Sequence, residues 1–349
     1  MSARPHAPRP TRARRLRTLV AATALAATVL GGCAAAPATQ DATTPGAEQP
    51  TSAGWPRTIQ TDDGTLTLDA QPQRIVSTST TLNGSLLAIE APVVASAATT
   101  PNISGLSDAQ GFFSQWSAQA KSAGVAKLYE NSSPDIEAAL EHEPDLILVA
   151  KNSGDSVMDQ VAQLRTIAPV LVIDYSGASW EAVTRKVAEA TGREAKAEEV
   201  IASFETHLAE AKAAIKPPEG ETSAFIVFGD GSGAAALTDK APQVQVMTSL
   251  GFTMATIPDS VKGDTSMGAD RQDMVNLSLE NIQKGLTGTS WVVVSADDLA
   301  RETVAGNKAF STAPAVSEGK VWYTPGETFR LDYYSATMLV DSLVESFPK

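Results

Sequence analysis

EAKAEEVIASFETHLAEAKAAI, residues 194–215, contains neither glycine nor proline. Gly192 stands before it and Pro217-Pro218 closes it. Val200, Ile201, Phe204, Leu208, Ala211 and Ile215 recur at helical spacing along one face, so the run reads as one amphipathic helix. Its 22 residues make a rod of about 33 Å at ~1.5 Å per residue. Gly192 is a natural helix stop for the preceding helix, Trp180 to Thr191, and the two prolines end the rod.

On either side of this rod the sequence alternates between strand and helix. Before it, Thr58–Thr61 and Thr65–Leu68 flank Asp62-Asp63-Gly64 and read as a β-hairpin. Buried strands are expected at Ile75–Ser77, Val93–Ala97, Leu146–Ala150 and Val170–Tyr175. Helical segments separate them at Leu82–Ile89, Pro134–Glu141 and Ser156–Thr166. After the rod, Phe225–Phe228, Met247–Leu250, Trp291–Ser295 and Val321–Thr324 read as strands or buried segments. Such alternation implies largely parallel sheets covered on both faces. The simplest reading is two α/β lobes joined by one long helix: residues 55–193, a linker at 194–216, and residues 217–349. A single larger α/β domain with a long surface helix is the alternative.

The first 54 residues are of another kind. Arg4, Arg9, Arg12, Arg14, Arg15 and Arg17 precede an apolar run from Leu19 to Leu30, and Leu30-Gly31-Gly32-Cys33 follows. A basic arm, a short apolar core and small residues make up a secretory signal. The run is shorter than the roughly 20 residues that span a bilayer. The single cysteine of the chain, placed right after the small residues, has the form of a lipobox, which implies that residues 1–32 are cut off and the Cys33 thiol is acylated; a chance cysteine near the end of an ordinary signal is the alternative. Arg14-Arg15 lacks the apolar pair that twin-arginine export expects. Residues 34–54 carry no large apolar side chain and read as a disordered spacer, about 25 Å in root-mean-square length.

Loss of the signal takes six arginines and no acid. Lys plus Arg falls from 27 to 21 while Asp plus Glu stays at 40, a net charge of −19. So acidic a body does not bind nucleic acid through bulk electrostatics, and it meets a membrane through the lipid alone. The expected location is extracytoplasmic and lipid-anchored.

Two segments echo one another. Ser133-Pro134-Asp135-Ile136-Glu137 precedes the strand at Leu146, and Ser278-Leu279-Glu280 precedes the strand at Trp291. In each, a serine can cap a helix whose first turn carries a glutamate. Capping suffices for either one, but the same device in both halves marks Glu137 and Glu280 as one functional face.

Together the lipobox, the Asp-Asp-Gly hairpin, Pro72-Gln73-Arg74-Ile75-Val76 and Glu143-Pro144-Asp145-Leu146-Ile147-Leu148 resemble the ferric-siderophore and cobalamin binding proteins of ABC importers. Gln71 to Asn102, Gly111 to Ser117 and Glu327 to Ala336 are most similar to the ferric-enterobactin-binding members of that class. The resemblance runs from Trp55 to the C-terminus. It implies the helical-backbone periplasmic binding protein fold, α/β with two Rossmann-like lobes joined by a single long helix. It implies a protein that is not an enzyme, has no cofactor and acts as a monomer. Its transported ligand is a ferric siderophore that itself holds the iron, and its partner is an ABC permease. In the class a glutamate on each lobe tip pairs with permease arginines, and the matching positions are Glu137 and Glu280.

A ferric tricatecholate carries three negative charges and three aromatic faces, so its site needs cations and aromatic surface. The resemblance selects Arg330 and Arg271 as the cations. For Arg330 the alternative is a structural pair with Asp332 or Glu327, and for Arg271 a solvated loop charge. Trp116, Tyr175, Trp180 and Phe228 lie near strand ends, where α/β crevices form, although aromatics there are as often core. Ser79, Thr80 and Thr100 follow strand ends and can donate hydrogen bonds, or serve ordinary turns. Two departures from the ferric-enterobactin pattern stand out. The loop Thr99–Ser104 has no basic residue, and Leu237 replaces an aromatic. Both leave room for a related catecholate or mixed-ligand siderophore. Heme or cobalamin is the alternative ligand.

Other classes find little support. After the signal only His142 and His207 remain, far apart in sequence, so a bare metal site lacks a first shell. Gly229-Asp230-Gly231-Ser232-Gly233 has neither the dinucleotide nor the P-loop spacing, and no nucleophile elbow occurs.

Overall fold

The computed structural model describes residues 54–261 and 272–349. The signal, Cys33, the spacer up to Ala53 and Arg271 lie outside the described residues. Thirteen strands run along the described chain: β1 Arg57–Thr61, β2 Gly64–Leu68, β3 Ile75–Ser77, β4 Val93–Ala98, β5 Ala126–Glu130, β6 Leu146–Ala150, β7 Val170–Ile173, β8 Glu221–Val227, β9 Gly233–Leu237, β10 Thr253–Met254, β11 Met274–Ser278, β12 Ser290–Val293 and β13 Val321–Tyr323.

β3 to β7 form a parallel sheet in the order β5-β4-β3-β6-β7. From β3 the chain moves outward to one edge, then returns to β6 and continues to the other edge. That reversal makes a crevice outside the C-terminal ends of β3 and β6, where ligands of open α/β sheets bind. One face of the sheet packs Ile75, Leu146, Leu148 and Leu171 against Leu86 and Trp116. The opposite face packs Val76, Ile147, Val149 and Val172 against Ile136 and Leu164. Burial on both faces explains why these strands read as continuous apolar runs.

The second sheet runs β11-β9-β8-β12-β13, with β10 beside the start of β8. β9 is antiparallel to both β8 and β11, so this lobe departs from all-parallel pairing. Gly233 meets the Leu277 carbonyl so closely that a Cβ there would lie 2.1 Å from it, and only glycine lets β9 join β11.

The rod is a helix from Glu194 to Ala214, with Ile215 at its C-cap. Val200, Ile201, Phe204, Ala211 and Ile215 are buried, and Leu208 is partly so. Trp180 stands edge-on to Phe204 at 5.1 Å. The chain end returns beside the rod: the Lys216 amide donates to the Phe347 carbonyl at 2.8 Å, and Ile215 bridges Pro348. The β1–β2 hairpin forms a separate two-stranded sheet beside β7 of the first sheet. Asp62 Oδ2 accepts from the Asp174 amide at 2.7 Å, and Asp63 pairs with Arg165 at 2.8 Å. The tip of the hairpin thus fixes the loop that leaves β7.

Three local readings change. Met247–Leu250 belongs to the helix Pro242–Leu250, bracketed by a proline in its first turn and by Gly251 in the left-handed region; four apolar residues are too few to show a period. The segment before β6 is a 3₁₀ helix, Ile136–His142, capped by Asp135 rather than Ser133. Ser278 occupies the cap position of Leu279–Asn281 but makes no side-chain cap bond.

Candidate ligand-binding cleft

A cleft of about 550 Å³ lies between the lobes. One wall comes from the ends of β3, β6 and β7, through Thr81, Asn152, Ser153 and the loop Asp174–Ser179. The other comes from Lys240, Pro242, Gln243, Asp273 and the segment Phe329–Leu331. The first wall is the crevice that the strand order predicts.

Arg330 sits where the walls meet. Gln243 Nε2 donates to the carbonyls of Thr328 at 3.0 Å and Phe329 at 2.8 Å, and Ser335 Oγ donates to the Arg330 carbonyl at 2.8 Å. The backbone before the helix Tyr333–Ser346 is thereby held, and the guanidinium crosses to the other lobe. Its Nη1 donates to the Tyr175 hydroxyl at 2.8 Å. Its central carbon lies 5.4 Å from the ring centroids of both Tyr175 and Phe329, within cation–π range. Arg330 turns to Tyr175 rather than to Asp332 or Glu327, so the alternative structural pair is not formed.

Tyr175 passes the contact inward. Its hydroxyl donates to Asp155 Oδ1 at 2.7 Å and touches the Ser153 hydroxyl. Ser153 Oγ also donates to Asp155 Oδ1 at 2.7 Å. Asp155 Oδ2 accepts from the Ser79 hydroxyl and from the Thr81 amide at 3.2 Å. Burial pushes the Asp155 carboxyl up, but Arg330 and the hydroxyls of Ser79, Tyr175 and Ser153 outweigh it and hold it below the usual carboxylate range. Burial pushes the Tyr175 phenol up to about 12, so it remains a neutral donor at neutral pH.

Trp180 is buried at the back of the cleft and packs on Phe204 and Tyr333. Lys240 is exposed at the rim, 3.5 Å from Asp239. Asp174 accepts from Asn152 Nδ2 at 2.8 Å and from the Ser176 hydroxyl and amide; despite the cost of burial these bonds lower its carboxyl below its ordinary range.

The structure therefore brings together Arg330, Tyr175 and Trp180. Other residues expected in the site lie elsewhere. Trp116 is fully buried in the first lobe's core, where the helix Ser114–Ala123 turns it onto Phe112 and Phe113 of the segment that leads into that helix. Phe228 is half-buried and packs on the second lobe's core, away from the cleft walls. Ser79 is buried, caps the helix Thr80–Ala88 and serves Asp155, so its hydroxyl is already spent. Thr80 is buried and accepts from Asn131 Nδ2 at 2.9 Å. Thr100 is exposed and outside the cleft walls, with its carbonyl bonded by Ser107. Leu237 is buried in β9. Glu137 and Glu280 are both exposed in the first turns of their 3₁₀ helices, each just after the C-terminal end of a strand. Asp155, Ser153, Lys240 and Phe329 were not singled out in the sequence. Asn152-Ser153-Gly154-Asp155 directly after a buried strand is the signal that could have found two of them.

The lobes also touch beside the cleft, where Gly105 and Gly326 approach main chain to main chain. A Cβ on Gly326 would stand 2.3 Å from the Gly105 carbonyl oxygen.

Among the described residues no cluster of three or more His, Cys, Asp or Glu could hold a metal ion. No described helix is long and apolar enough to cross a membrane.

A sequence-family profile described as periplasmic binding protein matches residues 65–328. The chain is 43% identical over 296 residues to the ferric enterobactin-binding periplasmic protein FepB of Escherichia coli O6:H1, covering 85% of this chain and 92% of that one. It resembles the crystal structure of holo-ViuP with a TM-score of 0.75 at 30% identity, over 84% of this chain and 96% of that one. Staphylococcus aureus SirA complexed with staphyloferrin B shares the fold alone, with a TM-score of 0.62 at 18% identity, covering 83% and 97%.

Proposed function

Because the chain belongs to the periplasmic binding protein family, we propose that it captures a ferric catecholate siderophore in this cleft and delivers it to an ABC permease. The observation that carries the ligand class is the 43% identity, over nearly the whole folded body, to a ferric enterobactin-binding protein. The cleft is compatible with that ligand. Arg330 offers charge, and Tyr175 and Phe329 offer aromatic surface, at one point where the lobes meet. The protein's task is binding and delivery, the siderophore holds the iron, and the ligand is cargo rather than a cofactor. We further infer a monomer tethered to the outer face of the cell membrane by lipid on Cys33.

The test is a titration followed by tryptophan fluorescence, since Trp180 borders the cleft. Ferric enterobactin is expected to quench it saturably, and heme and cobalamin are not. Saturable quenching by either of the latter, with none by the ferric catecholate, would overturn the ligand class.

Docking is assigned to Glu137 and Glu280, one exposed carboxylate on each lobe. Charge reversal at either, Glu137→Arg or Glu280→Arg, is expected to slow uptake about tenfold, the low end for electrostatic steering. Siderophore affinity should stay as it is, because neither residue lines the cleft. A weakened affinity in Glu137→Arg would remove it from the docking face.

A further inference from the structure

We propose that Asp155 and Tyr175 are positioning residues for Arg330, presetting its guanidinium to meet an anionic ligand; this rests on the reading of Arg330 as a ligand contact. The chain of contacts runs from Arg330 Nη1 to Tyr175 Oη at 2.8 Å, then to Asp155 Oδ1 at 2.7 Å. It crosses from one lobe to the other at the reversal point of the first sheet. Among the described residues Tyr175 is the hydrogen-bond partner of the guanidinium. Nη1 is thus anchored, and the fork is turned while the rest of it faces the cleft that Arg330 lines.

Two features show that this arrangement is built. Asp155 is a buried carboxylate whose two oxygens are both occupied, by Tyr175 and Ser153 on one and by Ser79 and the Thr81 amide on the other. Such a group is costly to bury, and one placed in a core for packing alone has no need of four donors. In addition, Ser153 has φ 82, in the left-handed region that a serine rarely adopts. That conformation brings its hydroxyl onto both Asp155 and Tyr175. Backbone strain of this kind persists where the surroundings enforce it, and it clusters at ligand sites. The functional gain is pre-organisation: an arginine already ordered loses less freedom when the ligand arrives. Tyr175 acts as the spacer. It keeps the carboxylate one residue away from the guanidinium, so the ligand does not compete with a direct ion pair.

A double-mutant cycle on the full chain tests this, with ferric enterobactin as probe. In the wild-type background Tyr175→Phe and Asp155→Asn are each expected to raise Kd about three- to tenfold, the loss of one orienting hydrogen bond. In an Arg330→Ala background each should change Kd by less than about twofold, because coupled residues are not additive. Tyr175→Phe keeps the ring and its packing, so it remains informative if Asp155→Asn folds poorly. Equal weakening by Tyr175→Phe in both backgrounds would overturn the proposal, since a structural or direct role adds independently. So would an unchanged Kd in Tyr175→Phe beside a weakened Arg330→Ala. An unchanged Kd in Arg330→Ala itself would remove Arg330 from the site, and the positioning role would fall with it.

Discussion

Replacing Arg330 with alanine is expected to raise the Kd for a ferric tricatecholate by about 10- to 100-fold, at ~1.4 kcal/mol per decade. The placement of Arg330 sets the size of that loss. Arg330 is half-buried where the lobes meet, stacked within 5.4 Å of two aromatic rings. A charge-assisted hydrogen bond is worth about 1.5–3 kcal/mol, and truncating one partner of a buried pair costs about 2–5 kcal/mol. A neutral ferric trihydroxamate presents less negative charge, so it should lose less. Arg330→Lys should restore only part of the affinity, since a point charge makes neither the fork nor the stacking. The alanine variant also leaves Asp155 without the cation that helps keep it ionised, so a small fall in melting temperature is expected. A large fall in melting temperature with equal weakening for both ligand types would show a structural brace instead.

The second large effect concerns Asp332 and stability. This carboxylate caps the helix Tyr333–Ser346, accepting from the Ser335 amide at 3.0 Å. It is sealed by the other lobe. Gln115 Nε2 stands 3.4 Å from Oδ2, and Gly84 leaves it room that a Cβ would fill to within 2.2 Å. Burial, only partly offset by these bonds, raises its pKa from 3.8 to about 6. The folded state therefore holds a proton that the unfolded chain has released between those values. Stability falls as pH rises through that window, and above it the ionised carboxylate costs about 3 kcal/mol, at ~1.36 kcal/mol per unit. Asparagine caps a helix as well as aspartate does and carries no charge. The Gln115 Oε1 is buried without a hydrogen-bond partner among the described residues, so a flip of that amide gives the new side chain an acceptor. Asp332→Asn is thus expected to raise stability at pH 7.5 by about 1–3 kcal/mol, several degrees in melting temperature. The gain should shrink towards pH 4. A lower melting temperature for the variant at pH 7.5 would show that the ionised carboxylate stabilises the fold.

Much of this architecture can be read from residues alone. Gly192, the run to Ile215 and Pro217-Pro218 mark the rod almost to its ends, because breakers act locally. Asp62-Asp63-Gly64 marks the hairpin for the same reason, and the apolar runs of β6 and β7 mark buried strands. What cannot be read is which strand ends become neighbours. Ser79 and Asp155 are 76 positions apart, and they meet only because β3 and β6 are adjacent. Tyr175 and Trp180 were legible since they follow β7 directly. Trp116 was misplaced because proximity to a strand end says nothing of which way a helix turns its aromatic face. Lys240 went unremarked since a lone lysine after Asp239 looks like any solvated turn.

The main-chain contact of Gly105 with Gly326 and the contact of Arg330 with Tyr175 join the lobes with unequal strength. At the glycines no side chain interlocks, and what must be broken is dispersion, about 0.1–0.2 kcal/mol per atom pair. At Arg330 and Tyr175 a charge-assisted hydrogen bond, about 1.5–3 kcal/mol, must go. Of these two, the glycine seam therefore parts more easily under a prying force, without any rotamer having to turn, and the arginine clasp holds longer.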